Sequence, residues 1–176
     1  MKIICYDFEV FKYDCLFGAL IIDNGKKEIF QTWDLNEIKQ FYYNNHRNSI
    51  WCSHNGKHYD QPLYEQILNG EDPYKVSKRI IDGEMKLKSN LDIAEFDCMS
   101  IRRTPFSLKL TELISGKNIH TTDVDFNLDR KLTKEEKELT EKYNKDDLEQ
   151  TFYNFQKFYS QFELRINIGK TFNLPI

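Results

Sequence analysis

Apolar residues run almost unbroken over Lys2 to Phe8, which predicts a buried strand opening the domain. A second apolar run covers Cys15 to Asp23. Asn24-Gly25, a tight-hairpin pair, follows it, so Lys27 to Trp33 is expected to return antiparallel. The spacing then turns helical: Ile38, Phe41 and Tyr42 make one face behind a helix-start box of Asp34 and Glu37. Ser49 to Ser53 reads as a short strand, His54 to His58 as a polar loop, and Tyr59 to Leu68 as a helix closed by Gly70. Asp72-Pro73 combines an N-cap with proline at the first helical position and predicts a short basic helix to about Ile81. Ile93 to Met99 is a fifth strand, and Ser107 to Ser115 is a helix with Gly116 just past its end. His120 to Arg130 is polar and aperiodic, hence extended. Thr133 and Glu136 form a second capping box. It opens two helices, Thr133 to Lys142 and Asn144 to Phe162, with a kink expected between them.

This order predicts an α/β fold: a mixed five-stranded sheet, its first three strands antiparallel, flanked by helices. The 176 residues suit a single domain spanning 1–176, with 40% hydrophobic and 14% aromatic residues, far from a disordered composition. The four cysteines, Cys5, Cys15, Cys52 and Cys98, are widely spaced with no Cys-x-x-Cys. They read as buried, reduced thiols of a cytoplasmic protein. An acidic residue at position 7 interrupts any signal peptide, and no apolar run has the length of a membrane span. A net charge of −3 argues against binding duplex DNA by bulk positive charge. It leaves room for an enzyme whose acidic residues hold cations at a phosphate.

Three groups of carboxylates carry that possibility. Asp7 and Glu9, at i and i+2 near the end of the first strand, project to one face. Side-by-side carboxylates repel and raise each other's proton affinity, unless a hard cation lies between them. Asp60 follows the loop Asn55-Gly56-Lys57-His58 and Tyr59 at a strand-to-helix junction. Tyr143 and Asp147, four apart, share a helix face. Singly, each has an ordinary reading: an acidic strand end, a helix-initiating Asp and a charged helix.

Taken in order, Asp-x-Glu, Asn-x-x-x-Tyr-Asp and Tyr-x-x-x-Asp resemble the motifs of the DEDD exonuclease superfamily, whose fold is ribonuclease H-like. More specifically, the chain resembles the N-terminal 3′–5′ exonuclease domain of phage DNA polymerases, in the subgroup with a catalytic Tyr. The stretches Tyr6 to Asp14, Ser107-Leu108-Lys109 and Phe126 to Thr133 carry the resemblance further, and it extends over essentially the whole chain. It implies a two-metal-ion enzyme that shortens single-stranded DNA from the 3′ end and releases nucleoside 5′-monophosphates. Asp7, Glu9, Asp60 and Asp147 would hold two divalent cations, Mg²⁺ or Mn²⁺. Tyr143 would orient the attacking water. Phe8, Phe11, Asn55 and Tyr59 would contact substrate, with Phe11 the better stacking face because Phe8 alternates into the core. Two such ions would move the formal charge to about +1. The implied partners are a single-stranded 3′ end and a polymerase domain in cis or trans, in a host cytoplasm if the source is a phage. The Asn-Leu-Pro-Ile end reads as a passage into a further domain.

Other functions remain open at this point: a stand-alone nuclease on RNA or host DNA, or an inert nucleic-acid-binding module on the same fold. Lys75, Lys78, Arg79, Lys86 and Lys88 make one basic segment, and Arg102, Arg103 and Lys109 another. His120 and Asp125 have the spacing of the sister subgroup with His, but precede the final helix, so Tyr143 is preferred. His54 and His58 have a zinc-pair spacing broken by Gly56, without a third ligand. Asp97 ends the fifth strand as either a support for the metal site or a polar strand end.

Overall fold

The computed structural model describes residues 2–84, 89–101, 107–114, 116 and 122–172. Five strands form one mixed sheet: β1 (Lys2–Val10), β2 (Cys15–Asp23), β3 (Lys26–Thr32), β4 (Ser49–Ser53) and β5 (Ala94–Asp97). Their order is β3-β2-β1-β4-β5. The first three pair antiparallel, and β4 joins β1, and β5 joins β4, in parallel. The expected hairpin is present, with Asn24 and Gly25 both at positive φ (49° and 78°). Two adjacent left-handed residues match the twist of the strands they join.

Central β1 is buried on both sides, and its alternation divides the core. Ile4, Tyr6, Phe8 and Val10 pack with Ile38, Phe41, Leu63 and Tyr64. These partners come from α1 (Leu35–Asn45) and α2 (Asp60–Leu68). On the other face, Cys5 joins Leu20, Leu148, Phe155 and Phe162. These helical residues lie on α5 (Lys134–Lys157) and α6 (Tyr159–Phe172). Asp7 and Glu9 are in step with Cys5, so β1 presents them toward α5. Two shorter helices, α3 (Pro73–Ile81) and α4 (Leu108–Ile114), complete the described α-helices, beside short 3₁₀ segments at Gly56–His58 and Cys98–Ile101.

Several boundaries differ from the sequence expectation, among them the end of the last helix, which lies at Phe172 rather than Phe162. β1 continues to Val10, because Glu9 and Val10 still pair with Leu16 and Cys15 before the Phe11 N–H closes the turn on the Asp14 carbonyl (2.8 Å). β5 stops at Asp97, whose carboxylate accepts the Met99 N–H (2.9 Å) and turns the chain into a short 3₁₀ segment. No kink separates residues 142 and 144. Asn144 is buried and spends its side chain on the sheet, and α5 runs on to Lys157. The break comes instead at Phe158, outside helical geometry (φ −106°, ψ 13°). The box at Thr133 and Glu136 closes reciprocally, whereas Glu37 accepts from Thr32 Oγ1 (2.5 Å) and leaves the α1 cap to Asp34 alone. The four cysteines are buried and unbridged. No described helix is long and apolar enough to cross a membrane.

Candidate metal centre

β1 delivers Asp7 and Glu9, and α5 delivers Asp147, to one spot. One carboxylate oxygen from each lies within 4.8 Å of the others. Glu9 and Asp147 are each 6% exposed. Acidic groups this close, two of them buried and Asp7 half-buried, hold protons tightly. Burial, then the Asp147 charge, pushes Asp7 up to about 7, against hydrogen bonds from Glu9, Asn144 and the Phe8 backbone. Burial, then Asp7 and Asp147, pushes Glu9 well above the carboxylate range. Burial and the neighbouring charges thus favour the protonated form of both groups.

The close approach of α5 to β2 depends on Gly18. A Cβ at that position would sit 1.8 Å from Asn144 Oδ1 and 3.0 Å from Leu148 Cδ1. Asn144 Nδ2 donates to Asp7 (3.0 Å), while Gln31 Nε2 donates to Asn144 Oδ1 (3.0 Å) and the Glu141 carbonyl (2.8 Å). Gln31 thereby fixes which end of the Asn144 amide meets Asp7. Gly18→Ala should drive Asn144 off Asp7 and destabilise the fold by about 1–3 kcal/mol. A lower urea midpoint with an unchanged m-value is the expected reading.

Asp147 has a cation of its own. Lys109 on α4 donates to Asp147 Oδ1 (2.6 Å), lies 3.6 Å from Glu112 Oε2, and stands 4.5 Å from the centroid of the Tyr143 ring. Burial raises the Asp147 pKa, and Lys109 and the Tyr143 hydroxyl restrain it. Tyr143 itself is pushed well above the usual phenol range, first by burial and then by Asp147 and Glu9. It is a neutral donor at any physiological pH.

Asp60 is outside the 4.8 Å cluster. It opens α2, is 3% exposed, and its Oδ1 accepts no hydrogen bond from the described residues. Burial, then the charges of Asp7, Glu95 and Asp97, raises its pKa well above normal, while the Phe8 backbone N–H lowers it.

The four aromatic and polar positions expected at substrate separate clearly. Phe8 is a core residue, 4% exposed and in edge contact with Tyr64 (5.1 Å). Phe11 does not offer the free stacking face expected of it: it is 1% exposed and covered by Phe126, whose parallel ring lies 4.8 Å away. Tyr59 is half-buried, its hydroxyl 2.7 Å from Ser77 Oγ. It lines a cleft of about 410 Å³ together with Glu9, Tyr74, Lys78 and Phe126. Asn55 is left-handed (φ 69°), and its N–H donates to Asp97 Oδ1 (2.9 Å).

Lys75, Lys78 and Arg79 are exposed on α3. Lys86, Lys88, Arg102, Arg103 and His120 lie outside the described residues, and Asp125 accepts the Asn127 N–H within its own turn (2.9 Å). Gln31, Asn144 and Glu95 carry no spacing signal in the sequence, since each acts across the sheet. No family model matches the chain, and no curated protein or solved structure matches it significantly.

The donor set suits hard cations. It consists of carboxylate oxygens with raised proton affinity, one buried oxygen without a donor, and a single described lysine that balances only part of the charge.

Proposed function

We propose that the chain is a divalent-cation-dependent 3′–5′ exonuclease of ribonuclease H-like fold, acting on the 3′ end of single-stranded DNA. The observation that carries this reading is the convergence of Asp7, Glu9 and Asp147 within 4.8 Å, with Tyr143 one helical turn before Asp147. The sheet, three antiparallel strands followed by two parallel ones, has the form that the DEDD resemblance implies. Two Mg²⁺ or Mn²⁺ ions held by Asp7, Glu9, Asp147 and Asp60 would supply Lewis-acid stabilisation of the entering and leaving oxygens and a lowered water pKa.

The protein's own residues have distinct tasks. Asp7, hydrogen-bonded to Asn144 and within 4.8 Å of Glu9 and Asp147, would hold the cations together with them. Tyr143, protonated throughout the physiological range, orients the attacking water through its hydroxyl rather than removing a proton. Lys109 holds Asp147 in place and adds positive charge where a phosphate would arrive. The cleft beside Glu9 accepts the terminal nucleotide, and Tyr59 supplies the aromatic wall first assigned to Phe11. Asn55 contacts the strand beyond it. The products are nucleoside 5′-monophosphates. The biological setting is proofreading for a polymerase domain, in the same chain or a separate one, in the cytoplasm.

Product chromatography tests this reading. With Mn²⁺, a single-stranded oligonucleotide should yield nucleoside 5′-monophosphates. Tyr143→Phe should lower the rate about 10- to 100-fold with little change in Mn²⁺ affinity, as expected for a water-orienting group. Release of 3′-monophosphates, or full activity in Tyr143→Phe, would refute it. An RNA strand run in parallel sets the sugar preference.

A further inference from the structure

Glu95 and Asp97 occupy i and i+2 on β5, so they share one face of the sheet. The residues between and after them, Phe96 and Cys98, pack with Phe155 and Phe162 on the opposite face. Glu95 is 8% exposed, and both its oxygens are used. Oε1 accepts from the Tyr6 hydroxyl (2.6 Å) and from Ser53 Oγ (2.6 Å), and Oε2 accepts from Gln61 Nε2. Asp97 Oδ1 accepts the backbone N–H groups of Asn55 and Met99, each at 2.9 Å. Between these two anchors the chain lies directly on Glu95. A Cβ on Gly56 would fall 2.2 Å from Ser53 Oγ and 2.8 Å from Glu95 Oε1.

Asn55 to Gln61 is therefore fixed at its start by Asp97, at its end by Glu95 and in the middle by the lack of a side chain at Gly56. Asp60 lies inside this segment. Its Oδ1 is buried without a hydrogen bond from the described residues. A buried carboxylate oxygen without a donor is costly, and it stays where it is only when its neighbours are held firmly. Here the neighbour Gln61 is held by Glu95.

We propose that Glu95 and Asp97 are positioning residues for Asp60, clamping Asn55 to Gln61 onto β5 so that the free Asp60 oxygen stays available to a cation shared with Asp7. The inference rests on the reading of Asp7, Glu9, Asp60 and Asp147 as a divalent-cation site. Neither residue of the clamp touches the ion. Each acts through the segment, so the requirement is for hydrogen bonds rather than for negative charge.

Calorimetric titration with Mn²⁺ of variants shown to be folded by circular dichroism tests the clamp. Glu95→Ala and Gln61→Met should each raise the Mn²⁺ dissociation constant by about tenfold or more, the range seen when groups orienting metal ligands are lost. Glu95→Gln should restore affinity to within about threefold of wild type, because its amide still accepts from Tyr6 and Ser53 while Gln61 turns its own amide to meet it. If Glu95→Ala does not fold, Gln61→Met decides, since it removes one donor and keeps the side-chain length. Wild-type affinity in a folded Gln61→Met or Glu95→Ala would overturn the clamp and leave the cation site standing. A wild type that binds no Mn²⁺ would contradict the cation site itself, and the clamp with it.

Discussion

Metal-free protein should become less stable as the pH rises from about 4 to about 7, and excess Mn²⁺ should remove that dependence. Asp7 moves from its ordinary value of 3.8 to about 7 in the folded chain, chiefly through burial and the Asp147 charge. Between those values the folded state binds a proton that the unfolded state has released. Unfolding free energy therefore falls with rising pH, by a few kcal/mol in order of magnitude. Glu9 and Asp60 are shifted the same way, and Glu95, raised to about 7 mainly by burial, adds to the trend. Glu136 acts oppositely: Arg130 and Thr133 lower it to about 2. Its contribution is present above its ordinary pKa of 4.5 and is lost only below that value, so it leaves the upper window untouched. A cation at the carboxylates replaces the missing protons. At one hundred times its dissociation constant it should add about 2.7 kcal/mol. Thermal melts across the pH range, with EDTA and with Mn²⁺, read both effects. A metal-free melting temperature that rises from pH 5 to pH 8 would contradict the burial of the cluster.

Asp7→Asn should lower exonuclease turnover at least about a thousandfold, equivalent to about 4 kcal/mol of transition-state stabilisation. It should also raise the melting temperature of the metal-free protein at pH 8. Asp7 lies within 4.8 Å of both Glu9 and Asp147, and the Asp147 charge raises its proton affinity, so its loss removes a ligand and part of the repulsion in the apo site. The amide still fills the volume, and rotation lets it keep the contact with Asn144. Less activity with more stability separates loss of a ligand from damage to the fold. Activity measured at saturating Mn²⁺, beside melts in EDTA, gives both numbers. Lower stability together with lower activity would point to fold damage instead.

Much of this was legible in the sequence, and the residues show why. Alternation along Lys2 to Val10 places Asp7 and Glu9 on one face whatever the rest of the chain does, and Asn24-Gly25 closes its hairpin by local backbone preference. The caps at Asp34, Asp72 and Thr133 are equally local. The kink expected between Lys142 and Asn144 is absent. The Asn144 amide reaches Asp7 and Gln31, more than a hundred residues away in sequence. Gly18 gives no turn signal because its role is to leave space for that amide. Phe11 looked like a free aromatic beside the site until the turn at Phe126 covered it. Glu95 is likewise ordinary in sequence, and Lys109 stands out there only in the Ser107-Leu108-Lys109 stretch and a basic segment. Their contacts appear only when β5 brings an acceptor to Gln61 and α4 brings a cation to Asp147.

The most direct measurement is the shortening of a 5′-labelled single-stranded DNA by the wild type and Asp7→Asn, side by side, with Mn²⁺ and with EDTA. The account predicts a ladder of single-nucleotide steps from the 3′ end in the wild type with Mn²⁺, and an intact strand in the other three lanes. An intact strand in the wild type at saturating Mn²⁺, or the same ladder in Asp7→Asn, would contradict it.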